Sequence, residues 1–189
     1  ALPLLREGLD GLITDREGLR IHITEADNGL DIALSGGLVE GFETQDRLAR
    51  LTATVGWARL THNGSPIAAP SEPVIALGGV PVALPQRAFL QPSEDGQAIL
   101  QSLVLAAIPD DAKRVMDLYS GHGTFALPLA QRGHTVEAYE GNEAAIAALK
   151  SAAKASAGLE LHAAVRDLAT WPLTGAALKK THAVVIDPP

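Results

Sequence analysis

The segment Val115-Met116-Asp117-Leu118-Tyr119-Ser120-Gly121-His122-Gly123-Thr124-Phe125 restricts what this chain can fold into more than any other. An apolar run suited to one buried strand passes into a Gly-x-Gly turn, and helical spacing follows. Glycines there let the backbone approach a ligand closely, and the first turn of a helix leaves N–H donors free. The surrounding sequence repeats the alternation. Residues 114–118 read as a strand, 122–132 as a helix, 135–139 as a strand, 143–155 as a helix, and 159–163 and 181–186 as further strands. Such alternation predicts an α/β, Rossmann-like fold with a parallel sheet flanked by helices and right-handed crossovers. Ligands then bind beyond the carboxyl ends of the strands.

The first part of the chain has another texture. Leu19, Ile21 and Ile23 alternate with Arg20, His22 and Thr24. Asp27-Asn28-Gly29 supplies a turn, and Leu30, Ile32 and Leu34 resume the alternation, so residues 18–36 read as a β-hairpin. Leu48, Leu51 and Val55 recur at helical spacing over residues 43–55. Residues 57–90 are rich in Pro and Gly, with strand-like pieces at 57–60, 74–77 and 80–84. Ser93, followed by Glu94 and Asp95, reads as a helix N-cap with acids in the first turn, and the apolar stretch 99–108 after it as core packing. The boundary is expected at residues 85–95, with 1–90 a partial α+β domain and 91–189 the first part of the α/β domain.

Charge and composition exclude several functions. The chain has no Cys, which removes disulfides, thiolate zinc sites, iron–sulfur clusters and Cys nucleophiles from these residues. No apolar run approaches membrane-span length, and residues 1–6 do not resemble a secretory signal, so a cytoplasmic protein with no membrane partner is expected. The net charge is −7, with residues 1–90 contributing −4 (7 Arg, 11 acids) and residues 91–189 contributing −3 (8 basic, 11 acids). Nucleic-acid affinity draws heavily on phosphate neutralisation by cations, so these residues alone should bind RNA or DNA weakly. The His residues have no metal-ligand spacing.

The ligand at the glycine turn has two readings. Gly121-His122-Gly123-Thr124-Phe125-Ala126 satisfies G-x-G-x-x-A, and Glu140 lies 19 residues after Gly121, as in a dinucleotide site. Two features favour S-adenosylmethionine. Asp117, four residues before Gly121, would repel a pyrophosphate but suits a cationic methionine end. The terminal Val184-Val185-Ile186-Asp187-Pro188-Pro189 then delivers another acid to the same sheet edge. Glu140 can accept from both ribose hydroxyls. Asp167, 27 residues on and just after a strand, can accept from the adenine amino group. A lone His in such a turn, as His122 is, is more often a turn residue than a catalyst.

With these residues in place, residues 88–189 resemble the RNA uracil-C5 methyltransferases, which make 5-methyluridine in tRNA and rRNA. The matching signposts are Phe89-Leu90-Gln91, the run from Asp117 to Ala130, Tyr139-Glu140-Gly141-Asn142-Glu143-Ala144 and Asp187-Pro188-Pro189. Residues 1–87 match the family's central α+β domain in texture only. The resemblance implies an S-adenosylmethionine site lined by Gln91, Tyr119, Thr124, Glu140, Asp167 and Asp187, around Asp117, Gly121 and Gly123. Ser120 stands where the family usually has Cys, Asn is frequent in the family near His122, and Ser93 stands where Asn is common. The family's Cys nucleophile, which adds to C6 of uracil, and the base that takes the C5 proton follow Asp-Pro-Pro. No catalytic residue is therefore expected before Pro189, and the chain is expected to be an inactive fragment. An RNA substrate would belong to the whole enzyme. The rival readings are a methyltransferase acting on an exocyclic base amine and an NAD-dependent oxidoreductase.

Overall fold

The structure is a computed structural model that describes residues 2–14 and 18–188; Pro189, the last residue of Asp-Pro-Pro, lies outside them. The chain divides into two compact units, Ala1–Ile75 and Ala76–Pro189.

The first unit contains α1 (Leu2–Leu9), β1 (Leu19–Ala26), β2 (Gly29–Gly36), α2 (Phe42–Val55), β3 (Arg59–His62) and β4 (Ser65–Ala68). The hairpin closes as its sequence requires, with Ala26 opposite Gly29 and Leu19 opposite Gly36. Helix α2 carries the chain from β2 to the parallel strand β3, and β4 returns antiparallel, giving the order β1-β2-β3-β4. Leu48 from α2 joins Leu5, Leu9, Ile32, Leu34 and Leu60 in the core. On paired positions of β2 and β3, the Arg59 guanidinium donates to both oxygens of the buried Asp31 carboxylate, at 2.8 and 2.6 Å. The strand read at residues 57–60 begins at Arg59, because Gly56 takes the left-handed conformation (φ 76°) that ends α2 and Trp57 is drawn into the core.

The chain passes into the second unit within β5 (Val74–Leu77), which pairs with β6 (Val80–Ala83). There follow α3 (Glu94–Ala107), β7 (Arg114–Leu118), α4 (Ala126–Gln131), β8 (Thr135–Glu140), α5 (Glu143–Ala155), β9 (Leu161–Val165), α6 (Gly175–Leu178) and β10 (Ala183–Ile186). Strands β7 to β10 form one parallel sheet in the order β10-β7-β8-β9. Asn142 caps α5 by accepting from the Ala144 and Ala145 N–H groups. Helix α4 is apolar on every side and buried from Ala126 to Ala130, as a helix without a polar face must be.

Three sequence expectations meet a different outcome here. The boundary expected at 85–95 falls inside the second unit, because β6 packs on α5 and the hairpin turn lies on α4. A Cβ on Gly78 would stand 2.8 Å from Pro128 Cα. Helix α4 starts at Ala126 rather than at residue 122, since residues 121–125 form a turn. Of the apolar stretch 99–108 only Ile108, just past the helix, is core: no residue of α3 is buried, and Ile99 and Leu103 are exposed. The helix is held by polar bonds instead, from Gln101 Nε2 to Thr124 O (2.9 Å) and from Arg132 Nη1 to Leu105 O (3.1 Å).

Candidate functional site

The parallel register sets the site. Asp117 on β7 lies opposite Val185 of β10 and Ala138 of β8, so β10, β7 and β8 end at one edge. Past that edge, Tyr119 takes a left-handed conformation (φ 64°), rare for a residue with a side chain. The Tyr119 and Ser120 N–H groups both donate to Tyr139 O, at 2.9 and 3.1 Å, which fastens the turn to β8. The two glycines have separate duties. Gly121 (φ 53°) has open space where a Cβ would stand, as a backbone that meets a ligand needs. Gly123 (φ 108°) is a packing glycine, because a Cβ there would stand 2.6 Å from Leu149 Cδ1.

Glu140, ending β8, is held at both oxygens. Oε2 accepts from the Gly121 N–H (3.1 Å) and Oε1 from the Asn142 N–H (2.8 Å), so the glycine turn and the start of α5 orient one carboxylate. Asp187 continues β10, its N–H donating to Leu118 O at 3.4 Å. Asp117 is fully buried, and neither of its carboxylate oxygens has a hydrogen-bond partner among the described residues. Burial pushes its pKa up to about 8; the Ala126 N–H opposes the rise without reaching hydrogen-bond geometry, and the Asp187 and Glu140 carboxylates add to it. Asp117 thus feels both other acids, which end the strands on either side of its own. A buried carboxylate without donors, among like charges, is a place a cation stabilises.

The other sequence-predicted residues stand further out. Thr124 is half-buried in the turn and takes the Gln101 bond at its carbonyl. Gln91 lies half-buried in the loop before α3, with no hydrogen bond to the turn. Asp167 follows β9 and is exposed. Its carboxylate holds its own turn, accepting from the Ala169 and Thr170 N–H groups and from Thr170 Oγ1 at 2.7 Å, and these bonds lower its pKa.

Sequence reasoning missed the depth of Ser120 and His122. Both are buried, and Ser120 Oγ and His122 Nε2 have no partner among the described residues. Burial lowers the His122 pKa to about 4, with Glu140 opposing, so its ring is neutral at physiological pH. Polar residues in a glycine turn look like surface, and only the folded packing shows otherwise. Two clefts of the first unit, of about 390 and 490 Å³, contain none of the predicted site residues. Among the described residues no cluster of His, Asp or Glu is arranged to hold a metal ion, and no helix is long and apolar enough to cross a membrane.

No protein-family model matches the chain. An uncharacterized RNA methyltransferase of Rhizobium meliloti is 36% identical over 189 residues, covering 100% of this chain and 45% of that protein. A 23S rRNA (uracil(1939)-C(5))-methyltransferase of Pectobacterium carotovorum is 40% identical over 73 residues, 37% of this chain and 16% of that protein. The crystal structure of Pyrococcus abyssi tRNA (uracil-54, C5)-methyltransferase, in complex with S-adenosyl-L-homocysteine, superposes with a TM-score of 0.76 at 18% identity. It covers 100% of this chain and 49% of that one, and the α/β fold is therefore that of the methyltransferases. By sequence the chain is related to the RNA methyltransferases, a uracil-C5 enzyme among them, and it spans less than half the length of the Rhizobium meliloti relative.

Proposed function

We propose that this chain is the S-adenosylmethionine-binding part of an RNA methyltransferase that forms 5-methyluridine in rRNA or tRNA. The observation that carries the reading is the acid cluster at the sheet edge. Asp117, Glu140 and Asp187 stand at the carboxyl ends of three adjacent parallel strands, beside a glycine turn with open space at Gly121. The donor-poor, acidic cluster fits a cationic ligand and opposes a pyrophosphate.

The cofactor supplies the electrophilic methyl group; the chain's residues bind and orient. Glu140 keeps an acceptor position on each oxygen beyond its two N–H bonds, enough for two ribose hydroxyls. Asp187 attracts the cationic end, the buried Asp117 adds to that attraction where the cation draws its pKa down, and Tyr119 flanks it from its left-handed position. Asp167 retains acceptor capacity for an amino group, although its first duty is the turn. Gln91 and Thr124 line the site in the uracil-C5 reading. Methylation at C5 of uracil also needs a thiolate and a base. With no Cys in the sequence, the thiolate must come from elsewhere in the whole enzyme. RNA as the substrate is supported by the relatives' names, and that reading puts the enzyme in the cytoplasm.

Calorimetric titration with S-adenosylmethionine and with NAD tests the cofactor assignment. Binding of the first, weakened by about 1–3 kcal/mol in Glu140→Ala through loss of a charged acceptor, supports it. Binding of NAD alone replaces it with an oxidoreductase.

A further inference from the structure

The loop after β9 has a construction that the acid cluster does not explain. The Arg166 N–H donates to Glu140 O (2.8 Å), continuing the β8–β9 ladder one residue past its end, so the loop begins beside the ribose-facing acid. Asp167 then accepts three hydrogen bonds within the turn. The Trp171 N–H donates to Asp167 O at 2.7 Å. Arg166 closes the loop from the other side, its guanidinium donating to Trp171 O at 2.6 Å and Pro172 O at 3.2 Å. Leu168 is buried and anchors the turn.

Trp171 is thereby fixed at its N–H and at its carbonyl, yet the residue is 69% exposed. The other tryptophan, Trp57, is 2% exposed in the core of the first unit. A large indole in water is unfavourable. Here the Arg166 guanidinium and the Asp167 main-chain carbonyl hold its backbone in place, and the ring stays largely uncovered. Ordering the loop beforehand removes the entropy that stacking would otherwise cost.

We propose that Trp171 is a cofactor-positioning residue whose indole stacks on the adenine ring of the bound nucleoside. This rests on the S-adenosylmethionine reading of the site. Adenine is favoured over an RNA base by place: Trp171 is hydrogen-bonded to Asp167, and Asp167 lies one residue past a backbone bond to Glu140. A flat ring held beside an acceptor for the amino group matches an adenine at its face and at its edge. Stacking also carries no charge requirement, which suits an acidic chain.

The test uses the whole chain and S-adenosylhomocysteine. Acrylamide quenches the exposed Trp171 and spares the buried Trp57, so the quenchable emission reports Trp171 alone. Saturating S-adenosylhomocysteine should shield that emission. Trp171→Ala should weaken S-adenosylhomocysteine binding by about 5- to 150-fold, the range for one aromatic–base stack, while Trp171→Phe should retain most of it. Calorimetric binding with the quenching unchanged, and with Trp171→Ala at full affinity, would overturn the proposal. So would shielding by a uridine-rich RNA oligonucleotide and not by S-adenosylhomocysteine. Absence of any heat or thermal stabilisation with S-adenosylhomocysteine in the unsubstituted chain would remove the cofactor reading itself.

Discussion

Replacing Asp117 by Asn should make the ligand-free protein more stable at neutral pH and weaken its hold on a cationic cofactor. The folded pKa stands at about 8 against 3.8 for an unperturbed Asp. A carboxyl whose pKa is raised by folding holds its proton more tightly in the native state. Its contribution is complete below pH 4 and is lost as pH rises, at about 1.4 kcal/mol per unit until about pH 8. At pH 7 the loss is on the order of 4 kcal/mol, a large part of a domain's stability. His122 acts with the opposite sign. Its pKa falls from 6.5 to about 4, so its contribution is present above 6.5 and is lost as pH drops toward 4. The two slopes oppose each other between pH 4 and 6.5, and Asp117 alone acts above that window. Urea unfolding from pH 5 to 9 should show the unsubstituted protein losing stability above pH 6.5. Asp117→Asn should be level there and fall only on the acid side, because the amide keeps the shape and cannot ionise. Parallel pH profiles for the two proteins would refute the claim that burial and two neighbouring acids hold Asp117 protonated.

The two glycines of the turn should separate under substitution. Gly123→Ala meets Leu149 Cδ1 and should lower stability by about 1–3 kcal/mol in chemical denaturation, through overpacking. Gly121→Ala meets no atom and should cost only about 1–2 kcal/mol for its left-handed conformation, while reducing cofactor affinity in calorimetry. RNA binding by this chain alone should be weak: at physiological salt, filter binding should give a Kd no tighter than about 10⁻⁶ M. Tight, salt-sensitive binding would mean that the charge argument missed a basic surface.

The α/β unit was largely legible because its signals are local. Residues 114–118 and 143–155 read from the sequence match β7 and α5 at both ends, since apolar spacing, an Asn cap and a glycine turn each act over a few residues. The common sheet edge of Asp117, Glu140 and Asp187 was legible for a related reason: parallel strands joined by right-handed crossovers bring their carboxyl ends to one edge. What the sequence hid depends on partners distant along the chain. Ile99 and Leu103 carry the apolar signature of a core helix, yet α3 is held by Gln101 and Arg132, whose bonds no periodicity reveals. The duty of Gly123 required knowing where Leu149 falls, 26 residues later. Trp171 gave no sign because an aromatic residue in a loop is, by pattern alone, indistinguishable from a stray one.

The Gly78 turn resting on Pro128 has a consequence for how this unit can be cut or transplanted. Pro128 belongs to the helix that follows the glycine turn, so the short β5–β6 ribbon works as a brace against the back of that helix. A graft beginning at residue 91, where the texture of the sequence changes, would carry every predicted ligand contact and leave the brace behind. One beginning at Val74 takes the whole ribbon along, and with it the contact of Gly78 on Pro128.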